Sequence, residues 1–535
     1  MAGFYKKRTM EKLEESWGKE DKLQNPDFRL LEDNFARMMK KDDWIMDDQT
    51  WNDLEMNRAF MFMNRTYTSA GQQCLYNMLR ILLFDETELK RRDRMVSFFQ
   101  LNKEKREKLR CLLHYVGKDE ADSAASLLFH PSRELPPARA WVMPCTLGMI
   151  ASLLSIPVLG MRGFLLVVVF FIINLFVHNS INKYTEMAVP GIRYIVRMLT
   201  AAEEICKLEY PELEEHYSSF FAKVVDKCSI IRKKSGALGK ATGFEDPVGL
   251  GAYVQILFLT EARAYLRCIR YIDENAPALR TLYRRLGELD ALQSMGSFKR
   301  SLRHSCRPTF TGENRVFRAV RMGHPLIQGC VCNDISIEGK NVVITGSNMS
   351  GKSTFLRTIG INMVLAQTFY VAMAKSFETC PCNLVTSISP SDNMDEGKSY
   401  YMAEATALLR MLDILSDERC SFLLIDEIFR GTNPLERVAG ASSLLEYLGE
   451  RNATVIVATH DAEITENIRD QYDAYHFEEL VTKDTLEFDY LLKEGPLTRP
   501  NGIRILEYLG YPREIVDAAL ERVGDSFREG TEQES

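Results

Sequence analysis

The residues with the clearest chemistry are Thr345-Gly-Ser-Asn-Met-Ser-Gly-Lys-Ser-Thr354, which follow the apolar run Val342-Val343-Ile344 and open a helical pattern at Phe355-Leu356. A glycine-bounded loop between a strand and a helix turns its backbone N–H groups inward and cradles phosphate. Gly346 and Gly351 supply the turns, while Ser347, Asn348, Met349, Ser350 and Thr354 complete the cradle. Lys352 is expected to meet β- and γ-phosphate charge, and the Ser353 hydroxyl to face Mg2+. A second apolar run, Ser421-Phe-Leu-Leu-Ile425, ends in Asp426-Glu427. Asp426 is expected on the metal side, and Glu427 as general base toward an attacking water, because phosphoryl transfer asks a protein mainly for positioning and charge. A third run, Ala453-Thr-Val-Ile-Val-Ala458, leads to Thr459-His460 and sets His460 to sense the γ-phosphate. Each motif alone has a bland reading, as a chance match, a surface acidic step or a structural histidine. Together they mark strand ends on one edge of a parallel sheet, where such folds bind ligand.

The elements that must position these groups change character along the chain. From about Arg307, strand patterns alternate with helical ones, so residues 307–525 read as an α/β P-loop ATPase domain with a mostly parallel sheet. Upstream, residues 1–140 and 184–306 read as an all-α core and lever, with Leu30, Leu31, Phe35 and Met38 at helical spacing in the first part. The second part shows long periodic stretches, such as Val254, Leu257, Phe258, Ala262, Tyr265 and Ile269, suited to a lever or paired-helix arm. Gly236–Pro247 reads as a loop, and the acidic tail 526–535 as disordered.

Gly323-His324-Pro325-Leu326, the loop Thr345–Thr354 and Asp426-Glu427-Ile428-Phe429-Arg430-Gly431-Thr432 together resemble the ATPase domain of the MutS family, with Asn348 and Met349 the telling pair. Ser347 stands where that family commonly has proline. Asp392–Glu404 is similar to the family's signature region, and the resemblance implies that Ser399 reaches the γ-phosphate held by a partner subunit. Asp48–Glu55 with Thr66–Gly71 and Leu75 resembles the start of the family's helical core, and Gly495–Gly502 with Gly510–Val516 its closing segment. The expectation is an ATP- and Mg2+-dependent ATPase working as a homodimer. Two ATP molecules would be sandwiched, each completed in trans by Ser399 and by the Asn433–Glu436 segment, Glu436 included. DNA is the expected object of the grip, in mismatch repair or recombination. Only about 45 residues precede the core motif, less than a typical domain of about 100, so the family's mismatch-reading and connector domains are not expected here. The stretch Asn433-Pro434-Leu435-Glu436-Arg437 looks more like the Smr-bearing paralogues.

Val142 to Val177 is apolar, with Arg162 its one charged residue and breaks at Pro157, Gly160 and Gly163. A spanning helix needs about 20 apolar residues for a hydrocarbon core of about 30 Å. Residues 141–181 therefore accommodate two, turning at Gly160–Gly163, and 141–183 is read as a transmembrane helical hairpin inserted in the helical core. Arg133, Arg139, Lys183, Arg193 and Arg197 flank it, so both ends are expected in the cytoplasm. This puts the protein at the cytoplasmic membrane with its ATPase and helical core on the cytoplasmic side. The competing reading is a buried core hairpin.

A length of 535 residues exceeds what one core serves, and 46% hydrophobic with 26% charged residues is a globular balance, which excludes disorder as the main state. The net charge of −7 excludes the overall basic footprint of a strong duplex binder. Lys103–Arg110 and Arg280–Arg307 are local basic runs, of a kind that is more often a solvated helix face. Twelve cysteines without Cys-x-x-Cys spacing, in a chain without an apolar leader, point to reduced thiols and against zinc. Two rival classes stand beside the DNA clamp. One is a membrane-tethered ATP switch acting on a protein partner without DNA. The other is an ABC-type transporter ATPase, disfavoured by one hairpin per chain and by the lack of a Ser-Gly-Gly-Gln run.

Overall fold

The computed structural model describes residues 7–19, 25–39, 44–119, 122–129, 135–235, 250–347, 350–388, 400–415, 419–481, 486–497 and 502–532. They fall into two units. The first, Met1–Lys40, Met63–Asn77 and Arg94–Arg300, is helical in its described part. Its most apolar element is a helical hairpin, Val142–Leu159 (α1) and Met161–Cys206 (α2), turning on Gly160 at φ +52°. The turn is tighter than the expected Gly160–Gly163. Gly163 lies inside α2, where a Cβ would come within 2.8 Å of the Ile156 backbone. Nor does the second helix stop at Lys183. No turn residue interrupts it, and α2 continues for 46 residues, about 69 Å at 1.5 Å per residue, with Pro190 inside it. Its distal half buries Ile192, Ile195, Met198, Leu199 and Ala202, a spacing of three and four that makes a single packed stripe.

The stretch expected to form a lever or paired-helix arm is two helices, Leu250–Phe258 (α3) and Thr260–Glu274, separated by Leu259 in the left-handed region at φ +45°. The next helix, Ala276–Ser301 (α4), turns Leu279, Leu282, Leu286, Leu289 and Leu292 inward. Asp290 interrupts this stripe for a reason. Its buried carboxylate accepts hydrogen bonds from the N–H groups of Tyr67 (3.0 Å) and Thr68 (2.8 Å) and from the Thr68 hydroxyl (2.7 Å). It thus satisfies open donors at the start of helix Ser69–Arg80 from across the core. A Cβ on Gly71 would sit 2.2 Å from Asp290 Oδ2, which accounts for the glycine in Thr66–Gly71. The Gly236–Pro247 loop lies outside the described residues.

The second unit comprises Lys41–Phe62, Met78–Asp93 and Ser301–Ser535. Its strands are β1 Thr309–Phe310, β2 Val316–Met322, β3 Asn333–Glu338, β4 Asn341–Thr345, β5 Ser376–Thr379, β6 Asn383–Ser387, β7 Ser421–Asp426, β8 Ala453–Thr459, β9 Tyr472–Val481 and β10 Leu486–Glu494. A six-stranded sheet runs β10-β9-β4-β8-β7-β6, parallel except for the β9–β10 hairpin, and a smaller sheet runs β1-β5-β2-β3. Strands β4, β6, β7 and β8 are buried at every position, the continuous apolar pattern of a sheet covered on both faces.

Residues 41–62 and 78–93, expected in the helical core, belong to this second unit. Their polar groups account for the placement. The buried Asp53 carboxylate accepts from Thr386 Oγ1 (2.7 Å) and Ile388 N–H (2.9 Å), and Thr50 Oγ1 accepts from Thr386 N–H (3.1 Å). Leu54 fills the space left by Gly360, where a Cβ would fall 2.3 Å from Leu54 Cδ2. The Asp48–Glu55 stretch therefore finishes the end of a buried strand. At the C-terminus the helix Arg513–Glu532 runs through positions 526–532, expected to be disordered.

Candidate functional site

β4 delivers the chain to Gly346 (φ +147°), and Gly351 (φ +102°) releases it into the helix Lys352–Phe369 (α5). Both glycines occupy backbone that a side chain resists. A Cβ on Gly346 would also lie 2.9 Å from the Phe477 carbonyl oxygen. Lys352 Nζ folds back to donate to the carbonyls of Gly346 (2.6 Å) and Ser347 (2.8 Å), and Ser350 Oγ donates to the Ser347 carbonyl (2.8 Å). The lysine is buried, and desolvation pulls its pKa down against the opposing pull of Glu427 and Asp426. A cation held dry on a loop of glycines is the arrangement that an incoming phosphate neutralises.

Ser353 Oγ hydrogen-bonds the Asp426 carboxylate at the end of β7, so the loop hydroxyl and the strand-end acid are brought together. Burial raises the Asp426 pKa, with the Ser353 bond working against it. Glu427 follows in the left-handed region at φ +57°, its N–H bonded to the Ala458 carbonyl of β8 (2.8 Å). Its carboxylate meets Arg430 Nε at 2.5 Å and His460 Nδ1 at 3.1 Å. Burial pushes the Glu427 pKa up, but the His460 bond and the Arg430 charge outweigh it and hold the carboxyl below its ordinary value. The same contact raises the His460 pKa. The sequence-predicted residues Lys352, Ser353, Asp426, Glu427 and His460 are thus brought to one sheet edge. Glu436 is exposed and accepts from Thr432 Oγ1 (2.8 Å), while Asn433 caps the helix Pro434–Gly449 (α6). Asn348, Met349 and Ser399 lie outside the described residues.

Beside the loop opens a cavity of about 490 Å3, lined among others by His324, Cys330, Asn333, Phe355, Phe477 and Tyr490. The Tyr490 ring packs over Gly351, where a Cβ would be 3.2 Å from its Cδ1, and stacks on Phe488 with centroids 5.8 Å apart. Asn333 fixes this turn by donating to the Tyr490 carbonyl (3.0 Å) and accepting from Leu492 N–H (2.8 Å). Nothing in the spacing around Asn333, Cys330 or Tyr490 marks them for this site. Tyr490 reaches the loop only through a backbone at φ +53° and an irregular β9–β10 register, and neither leaves a sequence signal.

Part of each basic run is paired within the protein, some of it in the interior and some at the surface. Arg106 and Arg110 are buried on Glu107 (2.8 and 3.0 Å), Lys105 pairs with Glu212 and Lys108 with Glu104. Arg280 and Arg285 donate to the carbonyls of Leu128 and His216, and Arg307 pairs with Asp93 at 2.7 Å.

A glycine-bounded loop, its lysine and a facing Asp-Glu step on a mostly parallel sheet define the class: a P-loop domain of α/β build. The family model for MutS domain V matches residues 342–525, and over this stretch the chain is similar to MutS proteins. It is 33% identical over 264 residues to the DNA mismatch repair protein MutS of Thermus thermophilus, a match covering 48% of this chain and 32% of that protein. The MutS of Petrotoga mobilis is 28% identical over 271 residues, covering 49% and 33%. The MutS of Clostridium kluyveri is 26% identical over 390 residues, covering 66% of this chain and 43% of that protein. The chain therefore spans about a third of the length of the first two relatives.

Proposed function

We propose that this chain binds ATP with Mg2+ and hydrolyses it, that two copies close on two nucleotides, and that the closed form grips DNA. The observation that carries the reading is the Ser353–Asp426 hydrogen bond, with Lys352, Glu427 and His460 around it. A hydroxyl and a carboxylate are hard oxygen donors of the type Mg2+ accepts alongside phosphate oxygens and water, so the residues fit that ion. When bound, it would neutralise charge on the phosphates. Lys352 leaves the loop carbonyls for the phosphates, and the slot between Phe355 and Tyr490 takes the base, an apolar cleft with a few polar groups at its rim. Water attacks the γ-phosphorus, the bond to the β,γ-bridging oxygen breaks, and the ionised Glu427 accepts the water's proton while His460 and Arg430 hold it in place.

In the dimer, Ser399 and the Asn433–Glu436 segment of each copy reach the nucleotide of the other, so that hydrolysis loosens the pair. Phosphate release from the wild type, Lys352→Ala and Glu427→Gln tests the chemistry. Lys352→Ala should lose nucleotide, and Glu427→Gln should retain ATP while turnover falls at least about 100-fold. Wild-type turnover in Lys352→Ala would sink the reading.

DNA enters through the named function of the relatives, DNA mismatch repair. The net charge of −7 favours a second reading, an ATP switch acting on a protein partner. A gel shift of the Glu427→Gln protein with ATP on homoduplex, mismatched and branched DNA separates the two. Binding that persists at physiological salt supports the clamp, and binding lost below it supports the protein partner.

A further inference from the structure

We propose that α1 and the first half of α2 cross a lipid bilayer as a helical hairpin, with Gly160–Arg162 at the far face and Trp141, Arg139 and Lys183 at the near one. The pattern of exposure separates this from a buried core hairpin. In α1 the buried positions are Val142, Cys145, Thr146, Met149 and Ser152, one narrow seam, and the rest of the helix is open. The open positions are apolar: in α1 Leu154 is 72% exposed and Val158 83%, and in α2 Phe176 is 71% exposed. Soluble proteins rarely leave apolar patches of this extent on their surface, and a helix apolar all round belongs in a core or in lipid. Two such helices side by side, each open on its outer side, are not in a core.

Length and charge commit the occupant to a bilayer rather than a second copy of the chain. α1 has 18 residues, about 27 Å, and Met161–Ile181 of α2 has about 31 Å, close to the hydrocarbon thickness of about 30 Å. Arg162, at the turn, is the one charged residue between Trp141 and Lys183. Arg139 and Lys183 are exposed where the helices leave the apolar band, placed for anionic headgroups, and the exposed Trp141 sits at the same level, the position of an interfacial aromatic. A dimer seam would instead need polar positions on its outward side.

The interior of the hairpin also follows membrane rules. Small residues let the helices approach: a Cβ on Gly148 would strike the Phe170 ring at 2.1 Å, and Gly163 meets the Ile156 backbone. The hydroxyls of Thr146, Ser152 and Ser155 each donate to a carbonyl of their own helix, at 2.7 to 2.8 Å. Asn174, buried, donates to the Leu257 carbonyl of α3 (2.7 Å). Thr146, Ser152 and Asn174 are thus turned inward, while the exposed positions from Met143 to Phe176 other than Arg162 carry no polar side chain, the reverse of a water-facing pair.

The test uses the full chain and does not depend on the nucleotide reading. Purified protein is mixed with vesicles of phosphatidylcholine and phosphatidylglycerol and floated on a density gradient after an alkaline carbonate wash. Wild type should float, and Leu154→Lys/Val168→Lys should reduce the floated fraction at least tenfold, since each lysine falls near mid-bilayer. Far-ultraviolet circular dichroism of both proteins in detergent checks folding. In sealed vesicles, an impermeant maleimide should label Arg162→Cys and Lys183→Cys from opposite sides, above the wild-type background. The proposal falls if wild type stays soluble without detergent, as monomer or dimer, or if both cysteines label from one side.

Discussion

At the scale of single residues, the site depends on groups whose charge is set by what surrounds them. His324 is buried at the cavity, its Nδ1 accepting the Leu326 N–H at 3.2 Å, and burial together with Arg58 and Arg357 pushes its pKa down to about 4. The unfolded chain binds a proton at about 6.5. As pH falls from 6.5 to 4, the unfolded state is therefore protonated first, and the native state loses on the order of 3 kcal/mol from this residue. Urea titrations across that range should show the loss, and His324→Gln should flatten it. An equal slope in the variant would remove His324 as its source. Gly346 is held by geometry alone. Gly346→Ala forces a left-handed alanine against Phe477, so nucleotide binding measured with a fluorescent ATP analogue should weaken at least tenfold while the fold persists.

Among the elements, the docked N-terminal segment makes the clearest energetic statement. Asp53→Ala leaves the Thr386 hydroxyl and Ile388 N–H buried without acceptors, and each such loss costs about 1–3 kcal/mol. We expect a destabilisation of about 3 kcal/mol by thermal or chemical unfolding, and a value under 1 kcal/mol would show that the segment is dispensable there. Asp290→Ala should cost a similar amount in the first unit, by opening the donors of Tyr67 and Thr68. These two aspartates also mark where the sequence ceases to be legible. Loop, strands and Asp-Glu step announced themselves because each obeys a local rule: glycines at a turn, apolar runs, acids at a strand end. Asp53 and Asp290 work across more than 220 residues of chain, so neither spacing nor periodicity hints at their partners. Residues 41–62 carry the same helical pattern as their neighbours, so their place in the second unit has no local signal either. The run Val254–Ile269 kept its period across a break at Leu259, since a single left-handed residue leaves the apolar spacing intact.

For the molecule as a whole, the ATP-closed dimer predicts a change in mass. Light scattering of Glu427→Gln in detergent should move from one copy to two on adding ATP and Mg2+, and a mass indifferent to nucleotide would dismiss that closure. The feature with the widest reach is the 46-residue helix α2, which passes from an apolar arm into the packed interior of the first unit without a joint. Such a rod has no slack. Its single soft point is Pro190, which lacks the N–H for one helical bond, and beside it Gly191 is pressed on the Ser123 backbone. A thinner or thicker surrounding layer would tilt the arm, and the tilt would arrive at Ile192–Ile205 as torque. Amide hydrogen exchange in that stretch should shift with the acyl-chain length of the vesicles, and exchange rates deaf to chain length would mean that the rod bends at Pro190 and passes nothing on.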